Sequence, residues 1–437
     1  MSEAAAPAPL FPKPLIAWLT VGILFMLYIR SLADRMLLAL MVKPIKADLA
    51  LTDLEISLLQ GPAFALLYCL CAIPVGLLLD RSPRRWVLFG CIVVWSAGAA
   101  ACGLAGRVSS MLALARSMLG AGESGYTTGA YSIIGDSFPP ERLSLAMSIF
   151  VMGGVMGAGI VFLLGGPLVE AVLGGAVAHW PGMGGFKPWQ QVFLITGLPG
   201  IATALLVFLF PEPQRQKRAV AGAGGYGEAL RFMMQHPRCY LGIILGIGLV
   251  YSVTIAQQSW APSYLERIHG WTPKQIGLAM GAAQMLPALS LPLHGWAVDR
   301  LYRSGRKDAH LLWCLITMLI AAPFAVAAYL VATPTATVTL FGCYMLFILS
   351  TASMGPAATQ VVTPPELRGR VSAIFVLVTG LIGMAFGTFL VGFFTDKVLG
   401  DPMKLGTSLI LLIVIVLSCA ALLFALGRPQ MRQLAQN

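Results

Sequence analysis

Along the 437-residue chain, apolar residues run in long unbroken blocks rather than at alternating positions. Twelve blocks reach about 20 residues or more, the length a helix needs to cross a bilayer core. They cover residues 15–42, 57–79, 86–105, 110–137, 143–169 and 191–210, then 237–262, 273–298, 309–331, 335–362, 369–394 and 404–426. We number them α1 to α12. A membrane barrel would show short strands of alternating polarity between turns, a pattern this chain lacks. The predicted fold class is therefore an all-α integral membrane protein of twelve transmembrane helices.

The polar segments between the blocks divide the chain. Residues 1–14 form a short Ala- and Pro-rich tail without the apolar core and cleavage site of a signal peptide, so α1 is expected to be retained. Residues 211–236 are polar, carry Arg215, Lys217 and Arg218, and include the flexible run 221–227. They read as an intracellular linker between six-helix units at 15–210 and 237–427, with a cytoplasmic tail at 428–437.

Composition agrees, with 58% hydrophobic and only 11% charged residues, about half the charged share of a soluble domain. Most of the 29 Lys and Arg fall on the side of the N-terminus. The positive-inside rule then places both termini in the cytoplasm, with the chain in the cell's inner membrane. The net charge of +11 is explained by basic residues bordering an anionic leaflet, and implies no nucleic-acid partner. All eight Cys lie in or beside apolar stretches without a CxxC pair, so neither disulfides nor a metal or other cofactor are expected. No nucleophile constellation points to an enzyme.

A motif occurs twice. After α2 the chain reads Gly76, three residues, Asp80-Arg81, two residues, Arg84-Arg85; after α8 it reads Gly295, three residues, Asp299-Arg300, two residues, Arg303. The offset is 295 − 76 = 219, almost half the chain. A second pair follows α4 and α10, Pro139-Pro140-Glu141-Arg142 and Pro364-Pro365-Glu366-Leu367-Arg368. Two matches in register imply two pseudo-symmetric halves.

Six plus six helices with this motif between α2 and α3 resemble the major facilitator superfamily. That resemblance implies a central cavity opening alternately to each side, in keeping with repeat-built transporters. It also implies that Asp80 meets the start of α11 near Arg370, and Asp299 the start of α5 near Leu143, while the cytoplasmic side is closed. Arg81, Arg84, Arg85, Arg300 and Arg303 are expected to pair with acids such as Asp136, Glu141 and Glu366, with Arg142 and Arg368 completing a cytoplasmic gate. The alternative is that these arginines only set topology. Gly153 and Gly157 on α5, and Gly383 and Gly387 on α11, have the spacing of close helix packing.

Charges inside membrane helices are costly and usually functional. Here α1 holds Arg30, Asp34 and Arg35, and α4 holds Arg116 and Glu123. Arg30 and Asp34 are four apart and can pair on one face. Gly120, Gly122 and Gly125 surround Glu123 and let a facing helix come near. Arg35 or Arg116 is expected to reach Glu123, the candidate proton carrier, in a site that favours an anionic head group; a permanent structural ion-pair network is the competing reading. The other half offers only neutral polar groups at the centre of α7, α8, α10 and α11, among them Gln257, Gln258, Gln284 and Thr351. One charged wall and one largely apolar wall suit an amphipathic substrate.

Asp34-Arg35, Arg116 with Gly120, Gly122 and Glu123, the run 134–139, and Trp260-Ala261-Pro262 resemble the spinster-like family. By that resemblance Asp34, Arg35, Arg116 and Glu123 form the coupling network. The expected function is proton-coupled transport of a lysophospholipid- or sphingoid-like substrate by a monomer in contact with membrane lipids. Symport of small organic anions and multidrug-type export are the alternatives. Arg30 stands where the resemblance leads us to expect an uncharged residue.

Overall fold

The computed structural model describes residues 11–106, 109–138, 140–215, 226–364 and 367–435. Among them, eleven helices are long and apolar enough to cross a bilayer. They are α1 (Pro14–Leu40), α2 (Asp53–Leu79), α3 (Arg84–Leu104), α5 (Ile149–Leu173, within a helix that starts at Pro140) and α6 (Pro188–Phe208) in the first half. In the second are α7 (Pro237–His269), α8 (Pro273–Arg303), α9 (Ala309–Ala327), α10 (Pro334–Val362), α11 (Arg370–Val398) and α12 (Pro402–Leu434). The twelfth crossing, α4, is made of two pieces, Ser109–Glu123 and Tyr126–Ser137. Glycines at 120, 122 and 125 weaken the helix there. Ser124 turns both its N–H (3.4 Å) and its hydroxyl (2.7 Å) onto the carbonyl of Ala121.

Several ends differ from the sequence expectation for local reasons. The second helix starts at Asp53 rather than 57 because Thr52 and Glu55 form a reciprocal capping box. The seventh runs past Pro262 to His269, where Gly270 takes the left-handed cap at φ 67°. The twelfth continues past 426 to Leu434, and the linker contains a short helix, Tyr226–Gln235, that buries Ala229 and Met233.

With twelve crossings, the start of α1 and the end of α12 lie on one side of the bundle, here the terminal face; the other is the opposite face. The halves meet along α5 and α8, α2 and α11, and α1 and α7. Between α5 and α8 the backbones approach closely at the glycines. A methyl on Gly277 would sit 2.6 Å from Cα of Gly166, and one on Gly281 2.8 Å from the carbonyl of Gly159. Small residues let helices approach this closely in a membrane. The expected small-residue pairs also pack, but within their own halves. Gly153 and Gly157 face Phe25 and Leu32 of α1, and Gly383 and Gly387 face Tyr251 and Ser252 of α7.

Candidate functional site

The charges inside the first half gather where α1 meets α4. Arg35 and Glu123 form an ion pair between the two helices. Glu123 is buried, and its second oxygen, Oε1, has no hydrogen-bond partner among the described residues. The Arg35 guanidinium lies 4.1 Å from the ring centre of Phe64 and 5.6 Å from that of Tyr68, both on α2, an attractive geometry for a desolvated cation. The glycines around Glu123 position it: a methyl on Gly120 would strike the backbone of Phe64, and one on Gly122 the carbonyl of Cys91 at 2.8 Å.

Arg116 does not take Glu123. It is 1% exposed and donates from Nε to the carbonyl of Leu59 (3.2 Å) and from Nη1 to the carbonyl of Asp34 (3.1 Å). The α2 ladder is interrupted at Gly61, and Pro62 brings no N–H, so carbonyls of this turn are open to an outside donor. Arg116 thus ties α4 to α1 and α2 through their backbones. Arg30 pairs with Asp34 Oδ2 at 2.7 Å and donates to the Thr196 carbonyl of α6 at 2.5 Å. The five charges therefore divide into Arg30 with Asp34, which ties α1 to α6, Arg116, which anchors on backbone carbonyls, and the ion pair of Arg35 with Glu123.

The second half supplies less of a polar wall than its sequence suggests. Gln257 is buried and accepts from the Tyr329 hydroxyl at 3.2 Å, inside its own half. Gln284 and Thr351 are also buried and bond to carbonyls of their own helices, Met280 (3.3 Å) and Ile348 (2.7 Å). Only Gln258 of the four is half-buried. His294 is structural: the Trp313 indole donates to its Nδ1 (3.2 Å), leaving Nε2 to donate to the Leu346 carbonyl (2.9 Å).

At the opposite face the halves are tied by groups the sequence reading missed. Asp53 is fully buried at the start of α2 and receives both nitrogens of Arg267 from α7, at 2.7 and 2.6 Å, together with Lys46. The Leu54 N–H donates to Asp396 of α11 at 2.5 Å, and Lys43 lies 3.8 Å from Glu266. Placing α2 at 57 left Asp53 in a loop; the Thr52-x-x-Glu55 box was the available signal.

At the terminal face Arg84 meets one of the acids expected for it, Asp136, but the contacts found stay within the first half. Arg84 is buried between Asp136 (2.5 Å) and Glu212 (2.9 Å), and Arg85 bonds the Phe210 carbonyl (2.7 Å) beside Glu212. These arginines lock the ends of α3, α4 and α6 within one half. Arg368 donates to the Thr363 carbonyl (3.0 Å) and Arg303 to that of Asp299 (3.3 Å). Arg81, Asp299 and Arg300 are exposed. The side chains of Asp80, Glu141, Arg142, Leu143 and Glu366 lie outside the described residues.

This architecture meets a known pattern. The family model described as the Major Facilitator Superfamily matches residues 23–388. The chain belongs to the major facilitator superfamily. Within this superfamily it is 28% identical over 433 residues to an MFS-type efflux pump of Mycolicibacterium smegmatis (strain ATCC 700084 / mc(2)155), covering 96% of this chain and 94% of that protein. It is 25% identical over 407 residues to protein spinster homolog 1 of Xenopus tropicalis, covering 86% and 73%. In fold it is similar to a crystal structure of a bacterial homolog of the human lysosomal transporter Spinster, in an inward-facing and unoccupied conformation. The TM-score is 0.80 at 23% identity, over 97% of this chain and 98% of that one. The superfamily fold and these relatives are those of transporters, not of enzymes.

Proposed function

We propose that the chain is a proton-coupled secondary transporter of an amphipathic, lipid-like substrate, working by alternating access as a monomer among membrane lipids. The observation that carries this reading is the buried pair of Arg35 and Glu123 where α1 meets α4, with a carboxylate oxygen that has no partner among the described residues. A substrate bearing an anionic head competes for Arg35. Loss of that partner leaves the Glu123 carboxylate in low dielectric, where the protonated form is favoured. Arg116 and Arg30 hold the helices that frame this exchange, and the sparsely charged second half suits an acyl chain. With the termini in the cytoplasm of the cell, the ties at Asp53 and Asp396 close the outer side.

The test is transport by purified protein in liposomes with and without a pH gradient. Glu123→Gln mimics the protonated carboxyl, so binding persists while gradient-driven accumulation stops. A full response to the gradient in Glu123→Gln refutes the coupling role. Similarity to an efflux pump over 96% of the chain favours a second reading, export of amphipathic compounds. That reading is separated from the first by the direction of gradient-driven flux.

A further inference from the structure

The two copies of the repeated motif differ most at one arginine, while Arg81 and its counterpart Arg300 are both exposed. Adding the 219-residue offset to Arg84 gives Arg303, to Arg81 gives Arg300, and to Leu77 gives Trp296. In the first copy Arg84 is buried and neutralised by Asp136 and Glu212. In the second copy Arg300 and Arg303 are exposed, and among the described residues neither has a carboxylate within ion-pair distance. The acid is missing from the sequence. The Pro-Pro repeat has an offset of 364 − 139 = 225, which puts Val361 where the first half has Asp136.

These two cations end a continuous exposed stripe on α8. Leu286, Leu289, Leu293 and Trp296 are each more than half exposed and fall at helical spacing with Arg300 and Arg303. They lie on the side of α8 away from Ser290, His294 and Val298, which face the bundle. The Arg300 guanidinium stands 5.6 Å from the Trp296 ring centre, and a hollow of ≈ 240 Å³ opens between Trp296, Arg300 and Arg303. The order along the helix is hydrocarbon, interfacial aromatic, then paired guanidinium groups, which matches the depth profile of a lipid leaflet.

We infer that this stripe is a binding site for one anionic phospholipid. Its phosphate is held between Arg300 and Arg303, its glycerol region lies against Trp296, and an acyl chain runs along Leu293, Leu289 and Leu286. Guanidinium pairs suit phosphate geometry. The surrounding medium of a span inside the bilayer supplies the ligand, and the missing acid leaves Arg303 beside Arg300 where the first copy has Arg84 neutralised.

The experiment is native mass spectrometry of the full chain in detergent, titrated with dioleoyl phosphatidylglycerol, with dioleoyl phosphatidylcholine as the neutral control. Expected is one saturable phosphatidylglycerol that weakens about fivefold per arginine removed, roughly thirtyfold in the Arg300→Gln/Arg303→Gln double variant, and that is lost at high salt. Phosphatidylcholine binding stays unchanged. Leu289→Ser/Leu293→Ser weakens the dioleoyl lipid but not a short-chain phosphatidylglycerol, which keeps the result readable if one variant folds poorly. Equal phosphatidylglycerol affinity in the arginine double variant overturns the site. So does displacement by glycerol phosphate at equal concentration, or a dimer that Trp296→Ala converts to monomer, since a second copy would then cover the stripe. The inference rests on the membrane fold and not on the substrate reading. The readout is retained lipid, so its failure leaves the Glu123 test untouched.

Discussion

Arg267 holds both oxygens of the buried Asp53 carboxylate, so the last turn of α7 is fastened to the first turn of α2 across the two halves. The same end of α2 is capped by Asp396 of α11 through the Leu54 N–H, an anion placed at the positive end of a helix. The tie therefore joins one helix of the first half to two of the second.

Asp53→Asn removes the charge that Arg267 and Lys46 share and leaves two cations side by side. Breaking a buried pair of this kind costs about 3 kcal/mol, enough to shift the balance of shut and open opposite faces by more than a hundredfold. A single cysteine at Gln60, which donates to the Ser259 carbonyl of α7 at 3.4 Å, should be labelled far faster from that face. An unchanged labelling rate contradicts the locking role.

Arg116→Lys separates framework from transport. Lysine cannot reproduce the fork that reaches the Leu59 and Asp34 carbonyls together. The expected loss is about 1–3 kcal/mol of stability, seen as a lower melting temperature, with substrate affinity changed less than tenfold. Arg35→Lys should do the reverse, keeping most of the stability and losing transport. Equal loss of affinity in both variants places Arg116 at the substrate.

Gly277→Val forces α5 and α8 apart, since even a methyl there lies 2.6 Å from the Cα of Gly166. Overpacking of this kind costs about 1–3 kcal/mol. Thermal unfolding should show it, and Gly295→Val, at a position with open space around it, should not.

Asp308, between α8 and α9, gives a pH signature. Burial raises its carboxyl, but hydrogen bonds from Arg428 (2.9 Å) and Arg432 (3.1 Å) outweigh burial and hold it below the usual 3.8. A depressed carboxylate contributes stability that is present above its unfolded value and lost as pH falls through the folded one. The melting-temperature gap between the parent chain and Asp308→Asn should be constant above about pH 5 and shrink below about pH 4. A gap that holds at pH 3 contradicts the pairing.

The twelve crossings and the halves were readable because lipid demands long apolar runs and duplication preserves spacing. The pairing of Arg30 with Asp34 followed from four-residue spacing alone. That Arg35 rather than Arg116 meets Glu123 depends on the interrupted α2 ladder at Gly61, which a count of apolar residues does not register. Gln257 looked like a cavity residue only because its sequence neighbours are apolar; the Tyr329 hydroxyl draws it into its own half. Asp53, Arg267 and Asp396 were missed because they sit at helix ends, where hydropathy assigns loops and only capping chemistry marks the boundary.

The seam of Gly159 and Gly166 against Gly277 and Gly281 has a mechanical meaning. Interdigitated side chains resist sliding, because each ridge must climb out of its groove and change rotamer. Where backbone meets backbone, at Gly166 and Gly277, no ridges need to pass one another, while Met285 over Gly159 and Leu163 over Gly281 are the side chains that must shift when one helix tilts on the other. The α5 and α8 contact is thus built as a pivot centred on Gly166 and Gly277, and the charged latch at Asp53 adds a restraint on its motion that a change of charge releases.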